Sequence, residues 1–145
     1  MTDSNDPYDL HRFVEAQESD INLIKEELQA GEKQSHWMWY VFPQVAGLGT
    51  SSMAERYAIR SRNEAEAYLA HDILGQRLRE CTEIVNIIEG RSANEIFGHP
   101  DVLKFRSSMT LFEAVSDNPS LFETALNRYY DGERCRKTLD FLSEK

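Results

Sequence analysis

A chain of 145 residues with 41% hydrophobic and 10% aromatic content is long enough for one domain burying roughly 70% of its unfolded surface, which excludes a disordered acidic tail. The net charge of −9, from 25 acidic and 16 basic residues, repels a phosphate backbone and excludes general DNA or RNA binding. Two cysteines in no metal-like spacing, and the lack of a basic-apolar leader or a long apolar run, exclude a disulfide framework and a membrane protein and point to the cytoplasm. Residues 1–8 are expected to form a flexible N-terminus and residues 9–143 a single helical domain.

Leu10, Phe13, Val14 and Gln17 open with helical spacing, and Ile21, Ile24, Lys25 and Leu28 continue it to Gly31, which predicts two short helices or one bent one. Next comes His36-Trp37-Met38-Trp39-Tyr40-Val41-Phe42-Pro43-Gln44, a block holding both tryptophans of the chain. It has room for about two helical turns before Pro43, which disfavours helix at Phe42 and removes a donor. Pro43 to Thr50 is expected to be irregular, and Ser52 with Glu55 three residues on fits a capping box that starts a helix through Tyr57.

Asn63 or Ser61 can cap the next helix, through Leu69. From Asp72, residues Leu74, Leu78, Cys81, Val85 and Ile88 recur at threes and fours until Gly90, the clearest amphipathic helix of the chain. Ser92 caps a short helix ended by Gly98, and Pro100-Asp101 opens a longer one through Val115. Two more are expected, Leu121 to Tyr130 and about Arg134 to Leu142, separated by Asp131-Gly132. No alternating strand, repeat or heptad run interrupts the pattern. The expectation is an all-α fold of seven to nine mostly short helices with no sheet.

Several segments carry candidate chemistry. The Gly47-x-Gly49-x-Ser51-Ser52 turn precedes a helix start, where backbone N–H groups suit an anion, although neither a Walker loop nor a dinucleotide fingerprint is present. A flexible turn with an ordinary cap is the plainer reading. His36 can stack on a ligand or act as a base, or be a satisfied structural histidine. Trp37, Trp39, Tyr40 and Phe42 would cover nearly every direction of a short helix. Burial suits Trp37 and Phe42, while Trp39 and Tyr40 are the better ligand contacts. Asp101, Lys104 and Ser108 share one helix face, so a carboxylate, an amine and a hydroxyl could enter one cleft. The alternative is hydroxyl back-bonding to the preceding turn and a surface ion pair. The arginines Arg56, Arg60, Arg62, Arg77 and Arg79 keep a single phosphate-bearing molecule in play. No metal site is expected, because His and Cys fall in no ligand spacing, and Cys81, on an apolar stripe, reads as core.

The combination Lys33-x-x-His36-Trp37-Met38-Trp39, Phe42-Pro43-Gln44, Gly47-Leu48-Gly49, Leu74-Gly75-x-Arg77-Leu78, Ile96-Phe97-Gly98 and Lys104-x-Arg106-Ser107-Ser108-Met109-Thr110-Leu111-Phe112 resembles a bacterial family of uncharacterised helical proteins sometimes labelled calpastatin. The resemblance spans about residues 9–142 and implies a compact helical domain, with no established reaction. A calpain inhibitor of that type is a flexible chain ordered by its partner, whereas this sequence is patterned for its own core. The family commonly reads Gly-Gly-x-Pro-Asp-x-x-Thr-Leu near the C-terminus. Here Arg134 and Cys135 replace the Pro and Asp, so an essential carboxylate is sought elsewhere, first at Asp101.

These features together suggest a pocket for a phosphate-bearing or nucleotide-like small molecule, in a binding protein or an enzyme. His36, Trp39, Tyr40 and Gln44 would form one wall, and the turn through Gly49, Ser51 and Ser52 would hold the anion. Lys33 and Arg77 would neutralise charge, Lys104 and Ser108 would close the far side, and any catalysis would use His36 as base and Asp101 as acid. The alternative is an interaction module whose aromatic block docks a protein partner without turnover. The sequence singles out no cofactor and no oligomeric state.

Overall fold

The computed structural model describes residues 6–143, and of the N-terminus expected to be flexible, residues 1–8, residues 1–5 lie outside them. The described residues form ten helices and no sheet. They are α1 (His11–Glu18), α2 (Ile21–Gln29), α3 (Met38–Val41), α4 (Ser52–Arg56), α5 (Arg62–Ala70), α6 (Leu74–Asn86), α7 (Ala93–Phe97), α8 (Asp101–Val115), α9 (Ser120–Tyr130) and α10 (Arg136–Ser143). Seven have eight residues or more, and α3, α4 and α7 are single turns. The one extended pairing described is an isolated parallel bridge between Val45 and Ile59. It holds the Pro43–Thr50 loop beside the start of α5 through Ala46 N–H to Ile59 O at 2.8 Å and Ile59 N–H to Gln44 O at 2.9 Å.

Local chemistry explains most boundaries. Asp6 accepts the N–H of Leu10 at 2.7 Å and of His11 at 3.0 Å, so the chain ahead of α1 is tied to its first turn. The first apolar series divides into α1 and α2 at Ser19-Asp20, and Gly31, at φ +74°, ends α2. Ser61 caps α5 through the Glu64 N–H at 3.0 Å, and Ser92 with Glu95 completes a reciprocal capping box on α7. At α4 the cap is Ser51, which accepts the Ala54 N–H at 3.1 Å, and not Ser52 as the sequence suggests. Ser51 takes the extended backbone of a cap, which places Ser52 in the first turn. The strongly periodic α6 begins at Leu74, close to Asp72 as its spacing suggests, and His71 Nδ1 accepts the N–H groups of Ile73 at 3.1 Å and Leu74 at 3.2 Å ahead of it.

The centre of the molecule is α8, against which α5, α7, α9 and α10 pack. Its seven buried residues include Phe105, Met109, Leu111 and Phe112, so it shows no single apolar face. Around it the aromatic rings interlock. Phe105 stacks on Phe97 at 4.6 Å between centroids and meets Phe42 edge-on at 4.9 Å, while Phe112 lies 5.3 Å from Tyr68. Two of the three hydroxyls inside this helix turn back on their own backbone: Ser107 bonds Leu103 O at 3.1 Å and Thr110 bonds Arg106 O at 2.8 Å. That arrangement is back-bonding by hydroxyls in the buried middle of the helix.

Candidate functional site

The segment between α2 and α3 is held by one carboxylate. Glu27 accepts the N–H of Gln34 at 2.9 Å and Ser35 at 3.0 Å, the Ser35 hydroxyl at 2.6 Å and the Trp37 indole N–H at 2.9 Å. Burial alone would push the Glu27 carboxyl up, but these four donors together hold it down at about 2, against an ordinary 4.5. Lys33 is fixed from the other side, its N–H bonding Ile96 O at 2.7 Å. The segment therefore presents its side chains in a defined geometry.

Lys33 Nζ meets Asp101 Oδ2 at 2.7 Å, and Lys104 Nζ meets Asp101 Oδ1 at 3.4 Å. One carboxylate at the start of α8 thus serves two ammonium groups. Each ammonium also lies over an indole: Lys33 Nζ is 5.1 Å from the Trp37 ring centroid and Lys104 Nζ 5.1 Å from that of Trp39. The two lysines differ in access. The Lys33 side chain is 5% exposed and also donates to Ser35 O at 2.6 Å, whereas Lys104 is 21% exposed. Trp37 is buried at 1%, while Trp39 is partly open. Lys33, Asp101 and Trp37 form a fixed base, and Lys104 with Trp39 faces outward. His36 is exposed and adjoins Trp37 in the chain.

The remaining expected site residues fall into other places. Tyr40 is 7% exposed, and its hydroxyl donates to Asp20 Oδ2 at 3.0 Å. Burial and the neighbouring Asp20 both push its phenol well above the usual tyrosine range. Arg77 donates to Gln17 Oε1 at 3.2 Å and pairs with Glu18 at 3.5 Å, and Gln17 in turn bonds Tyr40 O at 2.6 Å. Tyr40 and Arg77 thus belong to a second polar cluster, organised by Gln17 and Asp20. Gln44 and Gly49 adjoin each other in a third place, where a Cβ on Gly49 would stand 2.7 Å from the Ala54 Cβ and 3.6 Å from Gln44 Nε2. Gly49 is needed there for close approach of the turn to α4. The Ser51 hydroxyl is engaged by the Ala54 N–H, and Ser52 is exposed in the first turn of a five-residue helix. Ser108 is 0% exposed, with a hydroxyl that has no partner. The aromatic block keeps Trp37, Tyr40 and Phe42 at 1%, 7% and 1% exposure, so of its four large rings only Trp39 is partly open.

Sequence reasoning missed Glu27 altogether. Gln17 had a signal, because it stands at an apolar position of the first helical series and is buried at 1%. A groove of about 1140 Å³ beside α5, α6 and α9 shares no residue with the Lys33–Asp101–Lys104 cluster. Its walls carry Glu66, Glu80, Glu83 and Asp117 against Arg79, an arrangement that repels an anion. Among the described residues no group of three or more His, Cys, Asp and Glu side chains could hold a metal ion, and no helix is long and apolar enough to cross a membrane.

Fold and site together define a small all-helical protein in which one carboxylate holds two lysines, each lying on a tryptophan. The chain belongs to DUF1810, a family of proteins of unknown function whose model matches residues 7–142. It is similar to the conserved hypothetical protein Rv1873 from Mycobacterium tuberculosis, known from a crystal structure, at 54% identity over 95% of this chain and 99% of that one, with a TM-score of 0.94. No curated protein matches the chain.

Proposed function

We propose that this protein is a cytoplasmic binder of a small phosphate-bearing, nucleotide-like molecule, and that Lys104, Trp39 and Lys33 on Asp101 receive it. The observation that carries the reading is the ammonium of Lys104, 21% exposed and held over the partly open Trp39 ring by a carboxylate it shares with Lys33. Two ammoniums on one carboxylate leave an excess positive charge. A lysine ammonium has three donors, so Lys104 keeps capacity for an anionic oxygen. An indole face beside that charge suits a planar ring, as in a nucleotide base. His36, exposed and next to Trp37 in the chain, would bond a ligand edge or act as a base if turnover follows.

A thermal-shift series with AMP, ADP, ribose 5-phosphate and inorganic phosphate tests the reading on the parent and on Lys104→Ala, Trp39→Ala and His36→Ala. A ligand at about 100 times its Kd stabilises by about 2.7 kcal/mol, so a true ligand raises Tm with the logarithm of its concentration. Lys104→Ala is expected to remove the response to every phosphate compound, and Trp39→Ala to reduce the response to nucleotides more than to ribose 5-phosphate. The unliganded Lys104→Ala protein should lose no more than about 1 kcal/mol, as for a partly exposed pair. The absence of any Tm rise in the parent, or variants that respond like the parent, would overturn it.

A further inference from the structure

Away from that site, three of the chain's arginines share one opening. Arg12, Arg56 and Arg60 line a pocket of about 300 Å³ together with Asp9, and no aliphatic or aromatic residue is among its described walls. Arg12 spends its donors on the scaffold. Its Nε–H reaches Arg56 O at 2.8 Å, and its Nη2 donates to Ala58 O at 2.9 Å and to Glu64 Oε2 at 2.9 Å. The other Glu64 oxygen accepts the Arg60 N–H at 2.9 Å, so the backbone carrying Arg56 and Arg60 is pinned at both residues. The facing wall is held by the same arginine: Asp9, in the left-handed region at φ 52°, accepts Arg12 Nη1–H at 2.9 Å and the Arg12 backbone N–H at 3.2 Å on its carbonyl. Arg56 and Arg60 themselves stay open. Arg60 donates once, through Nη2 to Glu55 O at 2.8 Å, and Arg56 lies 5.6 Å from the Tyr57 ring centroid. Among the described residues neither pairs with a carboxylate, and Asp9 pairs with no cation, in a chain of net charge −9. Arg62, their neighbour in sequence, turns away to Ala114 O at 3.5 Å. With Arg12 balanced by Glu64, the pocket sets two open guanidiniums against one carboxylate.

We propose that this pocket is a second anion site, separate from Lys104 and Trp39, and that it takes inorganic phosphate as hydrogen phosphate. Arg56 and Arg60 donate to the charged oxygens, and Asp9 accepts the one remaining proton. A guanidinium presents two parallel N–H donors that match an edge of a phosphate group, and both arginines keep such donors free of protein acceptors. Asp9 supplies the selectivity. A fully ionised anion sets its lone pairs against that carboxylate, whereas hydrogen phosphate has a P–OH to donate to it. Sulfate and the dianion of a phosphate monoester lack this proton at about pH 8, since the second ionisation of a phosphate ester lies near pH 6. The size also fits a small ion, because about 300 Å³ is the lower end of ligand pockets. Without an aromatic or aliphatic wall the pocket has no face for a nucleobase, in contrast to the open indole of Trp39.

The test titrates inorganic phosphate into the nitrogen-15-labelled full-length protein at about pH 8, with ionic strength held constant by chloride so that general screening does not change. The signals read are the Arg56 and Arg60 Nε–H groups and the backbone amides between them. They are expected to shift and saturate equally in the parent and in Lys104→Ala, which separates this site from the one proposed above. Arg56→Ala and Arg60→Ala should each weaken phosphate at least about tenfold, as for loss of a charge-assisted hydrogen bond. Unchanged amide signals elsewhere in the two variants show that the fold is intact. Sulfate and ribose 5-phosphate should bind here at least about tenfold more weakly than phosphate, and Asp9→Asn should erase that difference by removing the carboxylate they face. The proposal is overturned if Arg56 and Arg60 show no saturable shift, if Lys104→Ala abolishes it, or if sulfate binds as tightly as phosphate in the parent.

Discussion

Among the carboxylates of this molecule that meet cationic side chains, Glu64 and Asp101 do so with opposite results. Glu64 and Arg12 form a closed arrangement. All five N–H donors of Arg12 are engaged, on Arg56 O, Tyr8 O, Asp9 O, Ala58 O and Glu64 Oε2, and the other Glu64 oxygen accepts the Arg60 N–H at 2.9 Å. The pair joins α1 to α5, with side chains only 12% and 4% exposed. Asp101 between Lys33 and Lys104 is open by comparison, since Lys104 is 21% exposed and pairs at 3.4 Å. Donor satisfaction, more than charge, separates a group that holds the fold from one that can meet a ligand.

Breaking the closed side should give the largest effect. Glu64→Ala leaves a buried guanidinium short of its carboxylate and one backbone N–H without its acceptor, and is expected to cost about 3–5 kcal/mol in urea unfolding. A loss below about 1 kcal/mol would rank this pair with exposed ones and remove the contrast with Lys104.

The Glu27 knot comes next, and its test is pH. The folded carboxyl titrates at about 2 against an ordinary 4.5, so its stabilisation is fully present above pH 4.5 and is lost as pH falls toward 2. That corresponds to a contribution on the order of 3 kcal/mol at neutral pH. Glu27→Gln should destabilise the protein at pH 7 and differ progressively less from the parent as the pH is lowered through this window. A constant difference between the two from pH 7 to pH 3 would show that the four donors do not depend on the carboxylate charge.

The all-helical architecture was legible because apolar spacing, cap residues and glycine stops agreed along most of the chain. Leu74, Leu78, Cys81 and Val85 are all buried, as their period requires. Ser51 and Ser52 are chemically equivalent caps, so the boundary of α4 depended on a backbone path that spacing does not encode. The site was less legible for the same reason. Lys33, Trp39, Asp101 and Lys104 come together only because Glu27 fixes the Gln34–Trp37 segment and Ile96 O holds the Lys33 N–H. Neither contact leaves a periodic mark in the sequence. Tyr40 and Arg77, which sequence reasoning grouped with Lys33, are drawn to Gln17, Glu18 and Asp20 by tertiary packing of α1, α3 and α6.

The smallest effect should come from Ser108, and its sign is informative. Its neighbours on α8 have partners: Ser107 bonds Leu103 O, and Thr110 both bonds Arg106 O and accepts the Cys135 N–H. Ser108 is equally buried at 0% yet its hydroxyl has none. Ser108→Ala removes an unsatisfied polar group and improves helix propensity with little change of volume, so it should leave stability unchanged or raise it by up to about 1 kcal/mol. Thr110→Val, of similar shape, should instead lose about 1–2 kcal/mol because it strands the Cys135 N–H. Thermal unfolding of the two variants side by side measures both. Should Ser108→Ala lose as much as Thr110→Val, the Ser108 hydroxyl must have a partner such as a buried water, and this part of the core would be as closed as the Arg12–Glu64 pair.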